Sequence, residues 1–158
     1  MIIHELTRSE CLELLHRVTV GRLACARESQ PYIVPVSFYF NEDDMSLYSF
    51  STIGQKIRWM RDNPNVCVEL DEIADRLQWT TVIINGVYEE IRNAPDAARV
   101  QERAMKIFQD QPQWWLPGTA TLVKDRGHDS PVVYRIRVAT MSGRRTSRRA
   151  ADTVSSTP

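Results

Sequence analysis

Apolar and polar residues alternate in several short stretches of this chain, a pattern that predicts strands with one buried face. The clearest stretch is Tyr32–Phe40, in which every second residue is apolar. Pro35 within it cannot donate to a strand ladder, so we expect this strand to be exposed or bulged there. Further strands are predicted at Val18–Arg27, Met45–Phe50, Asn65–Leu70, Trp79–Arg92, Thr119–Lys124 and Val132–Thr140.

Three helices are predicted between the strands. The first begins at Thr7, because the threonine hydroxyl can accept from the Glu10 amide while the Glu10 carboxylate accepts from the Thr7 amide. The second ends at Asn63-Pro64, since proline disfavours the helical conformation in the residue before it. The predicted helices span about Thr7–His16, Gln55–Asp62 and Pro95–Phe108.

Six or seven short strands, with helices only in their connections, predict a mostly β protein: an antiparallel barrel whose openings are capped by helices. Closing the sheet would remove its exposed edges. A length of 158 residues suits one domain, which we place at residues 1–140. Residues 141–158 contain four arginines and one aspartate and have little to bury, which predicts a basic, disordered C-terminal tail.

Composition argues against several classes of protein. The 20 basic and 20 acidic side chains balance, and the short basic tail, without interleaved aromatics, favours solvated surface over a nucleic-acid arm. No apolar run approaches the roughly 18 residues of a membrane span, and the first ten residues lack the apolar core of a secretory signal. The three scattered cysteines indicate a reducing compartment, so we expect a cytoplasmic protein. Histidine spacing predicts no metal site.

The stretch from Ser49 to Lys56 carries the most informative chemistry. It follows a strand, bends at Gly54 and opens a helix with Lys56 in the first turn. A lysine there is unfavourable for the helix itself, whereas a bound anion would be stabilised by the free amides and by the helix dipole. One interpretation is a phosphate site. The other is that Ser51 or Thr52 caps the helix and that Lys56 is solvated.

The order of these motifs resembles the pyridoxamine 5′-phosphate oxidase-like split-barrel family, over about Leu6 to Arg144. Gly54-Gln55-Lys56 between two strands, followed by Asn63-Pro64, looks like the flavin-binding segment of that family. Other stretches are similar to its flavin-nucleotide-binding branch, which is related to nitroimidazole-resistance proteins. These stretches are Gly21-Arg22-Leu23, Pro31–Val36, Trp79–Gly86 and Met141–Arg144.

The resemblance implies an antiparallel six- to seven-stranded split barrel that holds FMN at a homodimer interface. It implies that Gln55 and Lys56 hold the phosphate, assisted by Ser51 and Thr52. For Trp79 the alternative is a place in the barrel core. The other implied cofactor-binding residues are Ser49 and Phe50 beside the ribityl chain or ring, Val34, Pro35, Val36 and Ser37 along the isoalloxazine, and Trp79, Thr80 and Thr81 on a later strand.

The activity that the resemblance implies is a flavin-dependent oxidoreductase acting on a small-molecule substrate. No catalytic residue is assigned, because the motif offers no general acid or base. Ser49 stands where nitroimidazole-resistance relatives commonly have histidine, and Tyr32–Phe40 lacks the basic residues of the oxidase itself, so neither of those activities is predicted. The alternatives are a protein of the same fold that binds flavin, deazaflavin or haem without turnover, and an interaction module that binds nucleic acid.

Overall fold

The computed structural model describes residues 1–91 and 132–147, which form eight strands and two helices. The predicted helix at 95–108 and the predicted strand at 119–124 lie outside these residues. The elements are β1 (Ile2–Glu5), α1 (Arg8–Arg17), β2 (Val20–Arg27), β3 (Gln30–Ser37), β4 (Tyr39–Asn41), β5 (Ser46–Ser51), α2 (Gln55–Asp62), β6 (Asn65–Asp75), β7 (Gln78–Glu90) and β8 (Val132–Ser147).

The strands form one antiparallel sheet in the order β3-β2-β6-β7-β8-β5-β4, and β1 pairs with β8. This is the split-barrel architecture that the sequence predicts. The sheet does not close, since β3 and β4 stand at opposite ends of the order. The expectation that closure removes the strand edges is therefore wrong.

Helix α2 leads from β5, near one end of the sheet, to β6 and packs against β2 near the other end. The Trp59 ring of α2 contacts the Tyr32 ring of β3, with 5.6 Å between the centroids. Ile57 and Met60, on the inner side of the helix, are fully buried. This placement brings the start of α2 next to the β2–β3 hairpin.

The core lies between one face of the sheet and the two helices. Leu23, Val68 and Ile84 stand opposite one another on β2, β6 and β7, and all three are fully buried. Burial of each such side chain contributes roughly 1.5–3 kcal/mol. Residues that alternate with them, such as Arg22 and Glu69, lie on the opposite face, which we call the outer face.

The two predicted helix starts and ends are confirmed within one or two residues. At α1, Thr7 Oγ1 accepts from the Glu10 amide at 3.3 Å, and Glu10 Oε2 accepts from the Thr7 amide at 2.8 Å, which is the predicted capping box. Helix α2 has the predicted bounds. No helix in the described part of the chain is long and apolar enough to cross a membrane.

The predicted C-terminal boundary is wrong for residues 141–147, which continue β8 instead of starting a disordered tail. They pair with β7 on one side, and 144–147 pair with β1 on the other. Gly143 lies where a side chain would collide with Leu6 and Cys11, and Arg145 Nη1 forms an ion pair with Glu10 Oε1 at 2.8 Å. Residues 148–158 lie outside the described part.

The arginines of this stretch suggested a solvated tail. Local sequence does not show that the stretch forms a strand between β7 and β1. Thr146 is buried there, and its hydroxyl accepts from the Trp79 amide and donates to the Leu77 carbonyl, both at 3.0 Å. Two of the four arginines of the predicted tail, Arg144 and Arg145, therefore belong to the sheet.

Candidate functional site

The N-terminus of α2 has no side-chain cap. Gly54 is the N-cap residue, and the Ser51 hydroxyl donates to the Thr52 carbonyl at 3.0 Å instead of bonding to the helix. The interpretation in which Ser51 or Thr52 caps this helix is therefore wrong. The first amide that bonds back is that of Arg58, to the Gly54 carbonyl at 3.2 Å, so the preceding first-turn amides are available to an anion.

Lys56 adds a positive charge beside these amides. Its side chain is half-buried, and it makes no hydrogen bond or ion pair with any residue in the ranges 1–91 and 132–147. Burial lowers the pKa of the Lys56 ammonium, an effect that the neighbouring Cys25 thiol opposes. A partly desolvated cation without an anionic partner is costly, so the site is suited to a bound anion.

Buried polar side chains lie near Cys25, the thiol that neighbours Lys56. Ser49 on β5 stands directly opposite Tyr134 on β8, and both are buried. The Tyr134 hydroxyl has no hydrogen-bond partner among the described residues, and burial raises the pKa of this tyrosine to about 12 although Ser49 acts in the opposite direction. Burial likewise raises the pKa of the Cys25 thiol. These groups are uncharged at neutral pH, so Lys56 is the charged group here.

The predicted contacts on β3 divide between the two faces of the sheet. Val34 stands opposite Leu23 and packs against the core, and Val36 is buried. Only backbone groups of these two valines could therefore reach a ligand on the outer face. Pro35, opposite Arg22, is exposed on the outer face.

Four further predicted contacts lie at the surface or just beneath it. Thr52 and Gln55 are exposed at the start of α2, beside the free amides. Phe50 is half-buried on β5, two residues before Thr52, and Ser37 is half-buried at the end of β3. Thr52, Gln55 and Phe50 therefore belong with Lys56 in one part of the molecule.

The structure does not bring the β7 residues next to Lys56 within one chain. Lys56 neighbours Cys25 on β2, and Ala24, next to Cys25, pairs with Cys67 on β6. Thr81 on β7 pairs with Asp71, which lies four residues further along β6 than Cys67. Four residues correspond to roughly 13 Å along a strand, and β7 is two strand spacings, roughly 10 Å, from β2. The predicted site residues of one chain therefore form two separate groups, an α2 group and a β7 group. The β7 group is Trp79, Thr80 and Thr81.

Side-chain contacts also hold the β7 group. The Thr81 hydroxyl donates to Glu69 Oε1 at 3.0 Å, and Glu69 Oε2 accepts from Arg22 Nη1 at 2.7 Å. Arg22 also donates a hydrogen bond to Asp71. The Asp71 carboxylate is the main cause that raises the pKa of the Arg22 guanidinium, and the Glu69 carboxylate adds to it. Trp79 is half-buried on the outer face and is not part of the core cluster, so the alternative that placed it in the core is wrong.

Sequence reasoning missed Tyr134 and Cys25 as neighbours of the candidate anion site. Both occur in apolar strand patterns that indicate core, and no local signal marks them. Their proximity depends on the pairing of β5 with β8, across 85 residues from Ser49 to Tyr134, and on the packing of α2 against β2. No group of three or more metal-ligating side chains occurs in the part of the chain that the structure describes.

Comparison with known proteins gives one family. The family model described as pyridoxamine 5′-phosphate oxidase matches residues 7–145 of this chain. An uncharacterised protein of Rhizobium meliloti (strain 1021) is 33% identical over 146 residues, which are 91% of this chain and 95% of that protein.

Solved structures share the fold. An FAD-binding protein from Mesorhizobium loti is 35% identical, with a TM-score of 0.78 over 93% of this chain and 100% of that chain. HutZ, the haem storage protein of Vibrio cholerae, is 14% identical, with a TM-score of 0.63 over 85% of this chain and 92% of that chain. At that lower identity the similarity is one of fold alone, and the fold by itself does not specify which planar cofactor is bound.

Proposed function

Since the chain belongs to the pyridoxamine 5′-phosphate oxidase-like split-barrel family, we propose that it binds FMN and acts as a flavin-dependent oxidoreductase on a small molecule. The observation that carries the proposal is the uncapped start of α2 beside the half-buried Lys56, which has no hydrogen-bond or ion-pair partner among the described residues. One anion site of this kind matches the single phosphate of FMN. The FAD-binding protein from Mesorhizobium loti supports a flavin as the ligand class.

The residues present fit this ligand. The first-turn amides of α2 and the Lys56 ammonium would hold the phosphate, and the exposed Thr52 and Gln55 add polar contacts beside them. Bound flavin would supply the electron transfer, and the residues of this chain bind it, orient it and exclude water. The neutral, buried Ser49 and Tyr134 leave Lys56 as the charge that the phosphate meets.

A homodimer is part of the proposal, because one chain does not bring its two groups of site residues together. A two-fold partner would place the β7 group of one subunit beside the α2 group of the other. The outer face that carries Trp79 and Thr81 also exposes two large apolar side chains, Ile33 at 62% and Ile73 at 68%. Exposed apolar side chains on one face support a protein–protein interface there.

Titration of the purified protein with FMN tests the phosphate site. We expect Lys56→Ala to weaken FMN binding on the order of 10- to 100-fold, because a charge-assisted contact contributes roughly 1.5–3 kcal/mol. The matched control is Arg58→Ala, which removes the same charge from an exposed position about 200° around the same helix. Equal FMN affinities of the wild-type and Lys56→Ala proteins would contradict the role of Lys56.

Absorbance spectroscopy separates the enzyme from a protein that binds its cofactor without turnover. The purified protein should be yellow, and NAD(P)H or another reductant of that class should bleach the flavin bands in the enzyme. Colour that no nicotinamide donor bleaches would support the non-catalytic alternative. A haem spectrum in place of flavin bands would contradict the choice of cofactor.

A further inference from the structure

A cleft of about 460 Å³ lies between the start of α1 and the middle of β8. Six of its eight lining residues are apolar, although polar atoms make up about half of the exposed surface of its walls, and Arg8 is the one charged residue among them. The apolar walls come from Leu6, Cys11, Met45, Val138 and Met141. A volume of this size lies within the range, about 300–1,000 Å³, of sites for small organic ligands.

This cleft is distinct from the candidate flavin site. Ser51, which leads into α2, pairs with Val132 at the first residue of β8, whereas the cleft begins six residues further along β8, at Val138. Six residues of strand correspond to roughly 20 Å. None of the predicted cofactor-binding residues lines the cleft.

A β-bulge shapes one wall of the cleft. Asn85 pairs with Thr140 and Gly86 with Val138, so Ala139 between them has no partner on β7. A bulge of this kind bends the strand and turns its backbone away from the regular ladder. Gly86 allows the close approach, because a Cβ atom there would lie 2.6 Å from Ile136 Cγ2 and 2.7 Å from the Arg137 carbonyl oxygen.

The charge of Arg8 is not neutralised by any carboxylate in the described part of the chain. Its only hydrogen-bond contact there is from Nη2 to the Met45 sulfur at 3.5 Å, and a thioether is a weak acceptor. Arg8 is also the first residue of α1, where the helix dipole disfavours a positive charge. A cation in a cleft whose lining side chains are mostly apolar complements a ligand that has an anionic end and an apolar body.

We propose that this cleft binds a small apolar carboxylate, whose hydrocarbon body contacts Leu6, Met45 and Met141 and whose carboxylate accepts hydrogen bonds from the Arg8 guanidinium. Arginine suits this role because its planar fork can donate two parallel hydrogen bonds to one carboxylate. The site is independent of the flavin proposal, since it shares no residue with it.

Isothermal titration of the full chain with 2-naphthoate and with decanoate tests the proposal, and 2-naphthylmethanol serves as the uncharged probe of matching shape. We expect at least one carboxylate to bind. Arg8→Gln should weaken its binding at least tenfold, with little effect on the alcohol. Ala139→Trp places a large side chain at an exposed position of the cleft wall and should abolish carboxylate binding.

The control is Arg76→Gln, which removes an exposed arginine from the β6–β7 turn and should leave carboxylate binding unchanged. Melting temperatures and FMN affinities of the variants should match the wild type, whether or not FMN binds as proposed. Failure of both carboxylates to bind would overturn the inference, and so would equal binding to wild type and Arg8→Gln. Competition between FMN and the bound carboxylate would also overturn it, because the ligand would then occupy the α2 site.

Discussion

Lys56 and Tyr134 show how far single residues reveal the candidate site. Lys56 was predictable, because a lysine in the first turn of a helix is unfavourable without an anion. Tyr134 was not, because its sequence neighbours Val132 and Val133 indicate an ordinary buried strand. Its hydroxyl, which has no hydrogen-bond partner in the described ranges, matters only because β8 pairs with β5 opposite Ser49, and no local pattern specifies that pairing.

Two glycines provide a test at the residue scale. A Cβ atom at Gly54 would meet only the Thr52 carbonyl oxygen at 4.0 Å, whereas a Cβ atom at Gly21 would lie 2.7 Å from the Glu69 carbonyl oxygen. We expect Gly54→Ala to change the free energy of unfolding by less than about 1 kcal/mol, because reduced unfolded-state entropy offsets the weaker N-cap. Its FMN affinity should fall, since the methyl group would stand beside the free amides.

The matched variant, Gly21→Ala, should lower the free energy of unfolding by roughly 1–3 kcal/mol because the collision is with backbone. Urea denaturation without flavin measures both stabilities, and FMN titration measures the affinity of Gly54→Ala. Unchanged FMN affinity of Gly54→Ala would show that the ligand does not approach this residue.

At the scale of elements, local signals predicted helices better than strand limits. The α1 capping box lies within four residues, so the sequence specifies it fully. The predicted strand Tyr32–Phe40 is instead divided into β3 and β4 at Phe38, whose amide donates to the Thr19 carbonyl at 2.8 Å. That bond joins residues 19 positions apart, and alternation alone cannot show it.

Glu10 links α1 to β8 and gives a prediction about pH. Hydrogen bonds from Thr7 are the main cause that lowers the pKa of Glu10, and Arg145 adds to it. A carboxylate whose pKa is lower in the folded state stabilises the fold above its unfolded pKa, and this contribution is lost as pH falls through the folded value. Glu10→Gln should therefore be less stable than wild type near pH 7.

The difference in melting temperature between the two proteins should shrink as the pH is lowered from about 6 to about 3. Glu13→Gln removes an acidic side chain from the same helix without changing the Thr7 cap, and is the control for charge alone. A difference for Glu10→Gln that is constant over this pH range would contradict an electrostatic role for the carboxylate.

For the whole molecule, strand count and spacing were enough to predict a mostly antiparallel β fold with capping helices. Which strands are neighbours was not predictable, because β5 pairs with β8 and β2 with β6 across long sequence separations. The same separations explain why the sequence does not show that one chain holds the predicted site residues in two groups.

The assembly prediction concerns the outer face. Sedimentation velocity of the wild-type protein should show a dimer, and Ile33→Asp should shift it towards monomer because the charge would be buried at the interface. Glu28→Lys, in the exposed β2–β3 turn, is the control for a change of surface charge. FMN affinity should fall together with dimerisation if the site is shared between subunits. A monomeric wild type with full FMN affinity would contradict the shared site.

Among the strands that the structure describes, β3 borders the sheet and pairs only with β2. In an antiparallel pair every second amide points away from the partner. Because the Phe38 amide donates to the Thr19 carbonyl on the β2 side, the unbroken register places Pro31 and Pro35 in the outward series, with Ile33 between them. Over residues 31–35 this border therefore offers a single outward N–H group, that of Ile33. One N–H group is too few to pair with the backbone of another molecule. Two prolines thus protect this border against fibril-like polymerisation, and the proposed dimer would form through side chains rather than by extending the ladder.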